Sequence, residues 1–301
     1  MTDSNISHAL LLVGDGLSTK SSYTYYFSSS FPSYQNGIDV EKYYKNDQIT
    51  EFELSSSYFE DILNTSSGSY NYTAEYMVGQ KFTEISSSSN LSFSYLNSIS
   101  ADIVISGVNI PLLYQGSPMG PFKDVDGLAM LPKSSAGSLA SDVWIPRDAS
   151  GNLMSDKRLA RALSHELLHS VGLLDASSTG LEDLADDSPK FSIMSYKNHP
   201  TASRLVTELQ IYDIAAIQSI YGRSDILSND SYNKFVEDSG PFNGENRVFS
   251  IWDGGGFDEI DASQFTSNSV LIDLRPGYFS SIGNAAGVSI TPGENPALIS
   301  S

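Results

Sequence analysis

Residues 157–175 read KRLARALSHELLHSVGLLD, and the rest of the chain is best interpreted outward from this stretch. Leu159, Ala160, Leu163, Leu167 and Val171 recur at helical spacing, which predicts a helix over 157–171, and Gly172 is suited to end it in a left-handed conformation. His165 and His169 are four residues apart and so lie one above the other on the same helix face. Both imidazoles can therefore reach one metal ion, with Glu166 beside them to take a proton from water there. Two of the four histidines in the chain fall in this HExxH segment. A catalytic zinc needs a third protein ligand and an open position for water. Gly172 lets the chain turn sharply, and Asp175 lies where the returning loop would meet the ion, extending the pattern to HExxHxxGxxD. His199, in KNHP, is the spare downstream imidazole and the competing third ligand; Asp175 is preferred because nothing comparable to the Gly172 turn places His199.

Composition narrows the chemistry further. The 301 residues are enough for one large domain or two ordinary ones. With 17 Lys and Arg against 36 Asp and Glu, the formal charge of −19 repels phosphate backbones and anionic headgroups, so nucleic acid is not an expected partner. Excess carboxylate suits hard cations such as calcium. The absence of cysteine excludes disulfides, thiolate metal sites and thiol nucleophiles, leaving His, carboxylate and backbone oxygen as ligands. No stretch approaches the ~20 apolar residues of a membrane span, so no membrane insertion is expected. The apolar run Ala9 to Val13 is too short for a signal-peptide core and has no basic flank, so any export is expected to use another route.

Strands are expected at 21–27 (SSYTYYF), 91–96, 101–106, 127–131 and 142–145, from aromatic runs, period-two alternation or short apolar bursts. Ala74, Met77, Val78, Phe82 and Ile85 predict a helix over 73–85, capped by Thr73. A further helix is expected from Thr207, with Gln210 completing a capping box, through Ile220 to Gly222. Beyond Gly222 the chain turns rich in Gly, Asp, Asn and Ser, with β-like runs at 248–252 and 270–274. The expectation is an α+β fold in two domains, 1–222 around one mixed sheet and 223–301 rich in β-structure, with no internal repeat.

At HExxHxxGxxD the sequence resembles the metzincin metallopeptidases, which carry a third ligand after the glycine and then a Met-turn. SIMSY, residues 192–196, resembles the Met-turn of the serralysin family, which implies Met194 as the hydrophobic base beneath the metal and Tyr196 as the switchable tyrosine near it. IYDIAAIQSIYG, 211–222, resembles the helix closing the serralysin catalytic domain, and FSIWDGGGFDEID, 249–261, the start of its calcium-binding β-domain. GLAMLP, 127–132, resembles the edge strand along which peptide substrates lie, placing Gly127, Leu128, Ala129 and Met130 against substrate. An edge strand offers unpaired backbone groups to an extended peptide. The resemblance implies a metzincin catalytic domain with a twisted mixed sheet and long active-site helix, followed by a small calcium-binding domain. It also implies a secreted, monomeric zinc endopeptidase acting on protein or peptide substrates, exported by a type I route. Glu166 would be the general base and Tyr196 the oxyanion donor.

The sequence departs from that family in two places. Serralysins use His where this chain has Asp175, although the snapalysin-type metzincins use Asp there. A carboxylate makes zinc a weaker Lewis acid, which implies lower activity or a more alkaline optimum. The glycine-rich calcium repeats of the family are represented by one partial match, GGGFDEID. Asp253 and Asp258 bracket its glycines, and Glu294 in PGENPA resembles the second calcium-ligand segment; a solvated acidic loop is the competing explanation. Alternatives of other classes are a metal-holding binding module with weak or no turnover and a calcium-dependent adhesin with a Ser/Tyr-rich binding face.

Overall fold

Short apolar bursts in the first half of the chain become the strands of one mixed sheet. The computed structural model describes residues 3–30, 32–35, 59–60, 66–67, 72–109, 127–147, 156–181, 184, 186–197, 206–224, 233–235, 249–252, 259–261, 270–274, 278–282 and 297–300. Helices are α1 (Asp3–Leu10), α2 (Ala74–Ser88), α3 (Asp156–Ser170) and α4 (Ile211–Tyr221). Strands are β1 (Ser22–Phe27), β2 (Phe59–Glu60), β3 (Ser66–Ser67), β4 (Tyr72–Thr73), β5 (Ser92–Tyr95), β6 (Ile103–Asn109), β7 (Leu128–Ala129) and β8 (Val143–Arg147). Later in the chain come β9 (Asn233–Phe235), β10 (Phe249–Trp252), β11 (Glu259–Asp261), β12 (Val270–Leu271), β13 (Tyr278–Ile282) and β14 (Ala297–Ser300). Helices and a mixed sheet together make the fold α+β. The chain divides into two compact units, one of residues 15–82 and 92–172, the other of residues 1–14, 83–91 and 173–301.

In the first unit the sheet order is β5-β1-β6-β8-β7. β1 runs parallel to β5 and β6, and β6 parallel to β8, with Tyr25 opposite Ile103 and Ile105 opposite Val143. β2 pairs antiparallel with β6. β7 closes one edge antiparallel to β8, with Leu128 opposite Trp144. Ile103, Val104, Ile105, Val143, Trp144 and Ile145 are all buried although successive residues point to opposite faces, so the central strands are covered on both sides. At the other edge Phe82 of α2 stacks on Phe93 with ring centroids 4.1 Å apart and meets Tyr25 at 4.7 Å. The expected strand at 127–131 pairs only over β7, after which Met130 N–H donates to Asp142 O at 2.9 Å.

Asp142, which precedes β8, is buried in this unit and accepts hydrogen bonds from Tyr34 Oη (2.8 Å), Gln35 Nε2 (2.9 Å) and Val104 N–H (3.2 Å). Burial pushes its carboxyl up to about 7, and the three donors only partly offset that.

In the second unit α4 begins at Ile211 rather than Thr207. Gln210 is extended and stands at the N-cap expected of Thr207, and its N–H donates to Asp213 Oδ2 at 2.8 Å, so a buried carboxylate in the first helical turn fills the part of the capping box expected of Gln210. Gly222 ends the helix where it was expected to end, at φ 82°, a conformation open to glycine. β14 lies between β10, to which it is parallel, and β13, to which it is antiparallel; β12 lies beyond β13, and β9 pairs with β11.

Candidate metal centre

α3 is buried along most of its length, although more of its residues are polar than apolar. Leu159, Ala160, Ala162, Leu163, Leu167 and Leu168 are buried, so its polar residues lie inside as well: His165 and Glu166 are 5% exposed and His169 is 9% exposed. Interior imidazoles and carboxylates require partners. His165 Nε2 and His169 Nε2 stand 3.2 Å apart, their rings crossing at 84°. Two ligands of a tetrahedral zinc, each ~2.0–2.1 Å from the ion, stand about 3.3 Å apart, so the nitrogen pair has the span that zinc requires. The carboxyl of Glu166 lies against the start of the edge strand. A Cβ on Gly127 would fall 2.3 Å from Glu166 Cγ and 2.7 Å from Oε1, so the lack of a side chain at Gly127 gives the carboxyl its room.

The turn after α3 is forced by Gly172, whose φ is 111° and whose N–H donates to His169 O at 2.9 Å. The segment that follows is held by main-chain contacts: Val13 bridges Leu173, and Leu174 N–H donates to Leu12 O at 2.7 Å. One ligand atom from each of His165, His169 and Asp175 lies within 4.8 Å of the others. This donor set, two imidazoles and one carboxylate, is one that zinc accepts. His199 lies outside the described residues.

Met194 is fully buried, and its carbonyl accepts the N–H of Ala176 at 3.0 Å, which ties the 192–196 turn to the residue after Asp175. Two buried carboxylates shape that turn. Asp213 accepts from Ser192 Oγ (2.6 Å), Ile193 N–H (2.9 Å) and Gln210 N–H (2.8 Å). Asp187 accepts from Ser195 Oγ at 2.6 Å and pairs with Lys197 Nζ at 3.0 Å. Tyr196, between those two residues, is 65% exposed. Sequence reasoning missed both acids. A lone carboxylate in the apolar helix IYDIAAI was the available signal for Asp213; Asp187 carried none.

Of the expected substrate strand, Gly127, Ala129 and Met130 are buried, Leu128 is half-buried, and β7 is the edge of its sheet. Asp253, Asp258 and Glu294 lie outside the described residues, as does the loop joining β10 to β11. Among the described residues no helix is long and apolar enough to cross a membrane.

A family model described as Peptidase M10 serralysin C terminal matches residues 213–295, a segment that begins after the HExxH helix and the SIMSY turn. Serralysin B of Dickeya chrysanthemi is 36% identical over 149 residues, covering 44% of this chain and 30% of its own length. Metallopeptidase AprA of Pseudomonas marginalis is 31% identical over 157 residues, 44% of this chain and 33% of its own. Serralysin of Proteus mirabilis is 29% identical over 140 residues, 40% of this chain and 28% of its own. The chain thus spans about a third of the length of the curated relatives it matches. These matches bear out the resemblance to the serralysin-family metallopeptidases.

Proposed function

We propose that the chain is a secreted zinc-dependent endopeptidase of serralysin type, with a catalytic domain over 1–222 and a calcium-holding β-domain over 223–301. The observation that carries the reading is the pair of imidazole nitrogens 3.2 Å apart on a buried helix, with Glu166 next to the first of them. His165, His169 and Asp175 would hold the zinc. Bound zinc would supply Lewis acidity and a water far more acidic than bulk water, though less so than on a three-imidazole zinc.

The remaining work falls to the chain's own groups. The carboxylate of Glu166 takes a proton from the water that attacks the scissile carbonyl and returns it to the leaving amine. The phenol of Tyr196, a residue 65% exposed, donates a hydrogen bond to the oxygen that gains charge. β7 offers its outer edge to an extended peptide, and because Glu166 lies against Gly127, a peptide bound there has its backbone near the base. Protein or peptide substrates, action as a monomer and type I export follow from the same reading. Asp253, Asp258 and Glu294 would hold calcium that binds only the folded chain.

Casein hydrolysis and zinc content, each measured with and without a chelator, test the proposal together with variants of the third ligand. Hydrolysis is expected to vanish on zinc removal and return on its restoration. Asp175→Ala should lose zinc affinity by orders of magnitude, while Asp175→His keeps the metal and moves the rising limb of the pH-rate profile towards acid, one negative charge having been removed beside the ion. Full zinc in Asp175→Ala with loss in His199→Ala assigns the third ligand to His199. Bound zinc in the parent with no cleavage of any peptide rejects the enzyme.

A further inference from the structure

Tyr196 is largely exposed, and the residues on either side of it are held by one buried acid. Asp187 grips both flanking residues, accepting Ser195 Oγ at 2.6 Å and pairing with Lys197 Nζ at 3.0 Å. Ser195 Oγ in turn accepts Lys197 N–H at 3.2 Å, which closes the loop around the tyrosine. The preceding residue, Asp186, is held from elsewhere in the chain. Its Oδ2 accepts Tyr212 Oη at 2.6 Å from α4 and lies 2.8 Å from His8 Nδ1 on α1. The His8 and Tyr212 rings meet edge to face at 6.2 Å. Residues 12 and 13, just beyond α1, also hold Leu173 and Leu174, which lead into Asp175.

We propose that Asp186 and Asp187 are positioning residues for Tyr196, joined so that the docking of α1 through His8 sets where the tyrosine stands. This rests on the reading of Tyr196 as donor to the reacting carbonyl. Neither acid touches substrate. Asp187 fixes the two neighbours of the tyrosine, and Asp186 fixes Asp187 by tying the adjacent backbone to α1 and α4. A charge-assisted hydrogen bond is stronger than a neutral one, which makes a carboxylate pair suited to carry such a link.

Amide hydrogen exchange over residues 191–197 is the first test, because it needs no activity. His8→Ala removes one half-buried partner of Asp186; Asp187→Ala removes the clamp itself, with Asp187→Asn as the conservative partner. Exchange at 193–197 is expected to rise about 5-fold in His8→Ala and further in Asp187→Ala, with Asp187→Asn in between. On a peptide substrate, kcat should fall about 5-fold in His8→Ala with KM unchanged, and His8→Ala should cost nothing further in a Tyr196→Phe background. Parental exchange rates in folded His8→Ala overturn the link, as does a loss of kcat fully additive with Tyr196→Phe. Faster exchange in a chain that cleaves no peptide upholds the link and removes the peptidase reading instead.

Discussion

α3 and the 192–196 turn reach functional geometry by opposite means. On α3 one repeat does the work: residues four apart share a face, so His165 and His169 meet whatever the rest of the chain does, and apolar neighbours seal the helix in. The turn has no repeat to rely on. Its shape comes from carboxylates outside the turn, with Asp213 gripping Ser192 and Ile193 from α4 and Asp187 gripping Ser195 and Lys197 from the segment just before it. A helix thus carries its site in its own repeat, whereas this loop borrows its shape from carboxylates that no repeat places.

Three experiments can break or sharpen that contrast. The largest effect is expected on the helix and in turnover alone: Glu166→Ala should lower kcat roughly a thousand-fold, with zinc content and melting temperature unchanged, since the base is not a ligand. A fall of less than tenfold removes Glu166 from the chemistry. The turn should fail the other way. Asp213→Ala leaves three buried donors unsatisfied and should cost about 3 kcal/mol, seen in a thermal scan as a fall of roughly 5–10 °C. A parental melting temperature means that the turn is held by something other than Asp213.

A third buried acid, Asp142, beside the edge strand, should show only as a dependence of stability on pH. Its carboxyl is pushed up to about 7 in the folded chain, against about 4 in the unfolded one. Between those values the folded chain keeps a proton that the unfolded chain has released. Stability should therefore fall as pH rises from about 4 to about 7 and level off above, once both forms are ionised. Asp142→Asn should remove that slope in denaturant titrations run across this range; a slope that persists assigns it to other groups.

The same contrast explains what could be read from the sequence. The apolar stripes of α2 and α3, the bursts that became β1, β6 and β8, the left-handed stop at Gly172 and the end of α4 at Gly222 are local patterns, and each stands where its spacing put it. Asp142, Asp187 and Asp213 were not legible as structural anchors. The partners of Asp142 include residues 34, 35 and 104, and those of Asp213 reach back to 192, so no window of sequence contains the interaction. The start of α4 differs for a local reason: Thr207 and Gln210 make a capping-box pattern in sequence, but the box forms one step further on, between Gln210 and Asp213.

The order of strands also has a consequence in time. β1 is early in the chain, yet its partners come from residues 92–95 and 103–105, so most of the first sheet cannot begin to pair until a long stretch has been made. Until then Tyr23, Tyr25, Tyr26 and Phe27 form an aromatic, uncharged segment with free edges, the kind that attaches to its own copies. Such distant parallel pairing is slow to form. Emergence of β6 therefore sets the moment at which a nascent chain stops being prone to aggregate, and substitutions that weaken its IVI run should show first as lost yield.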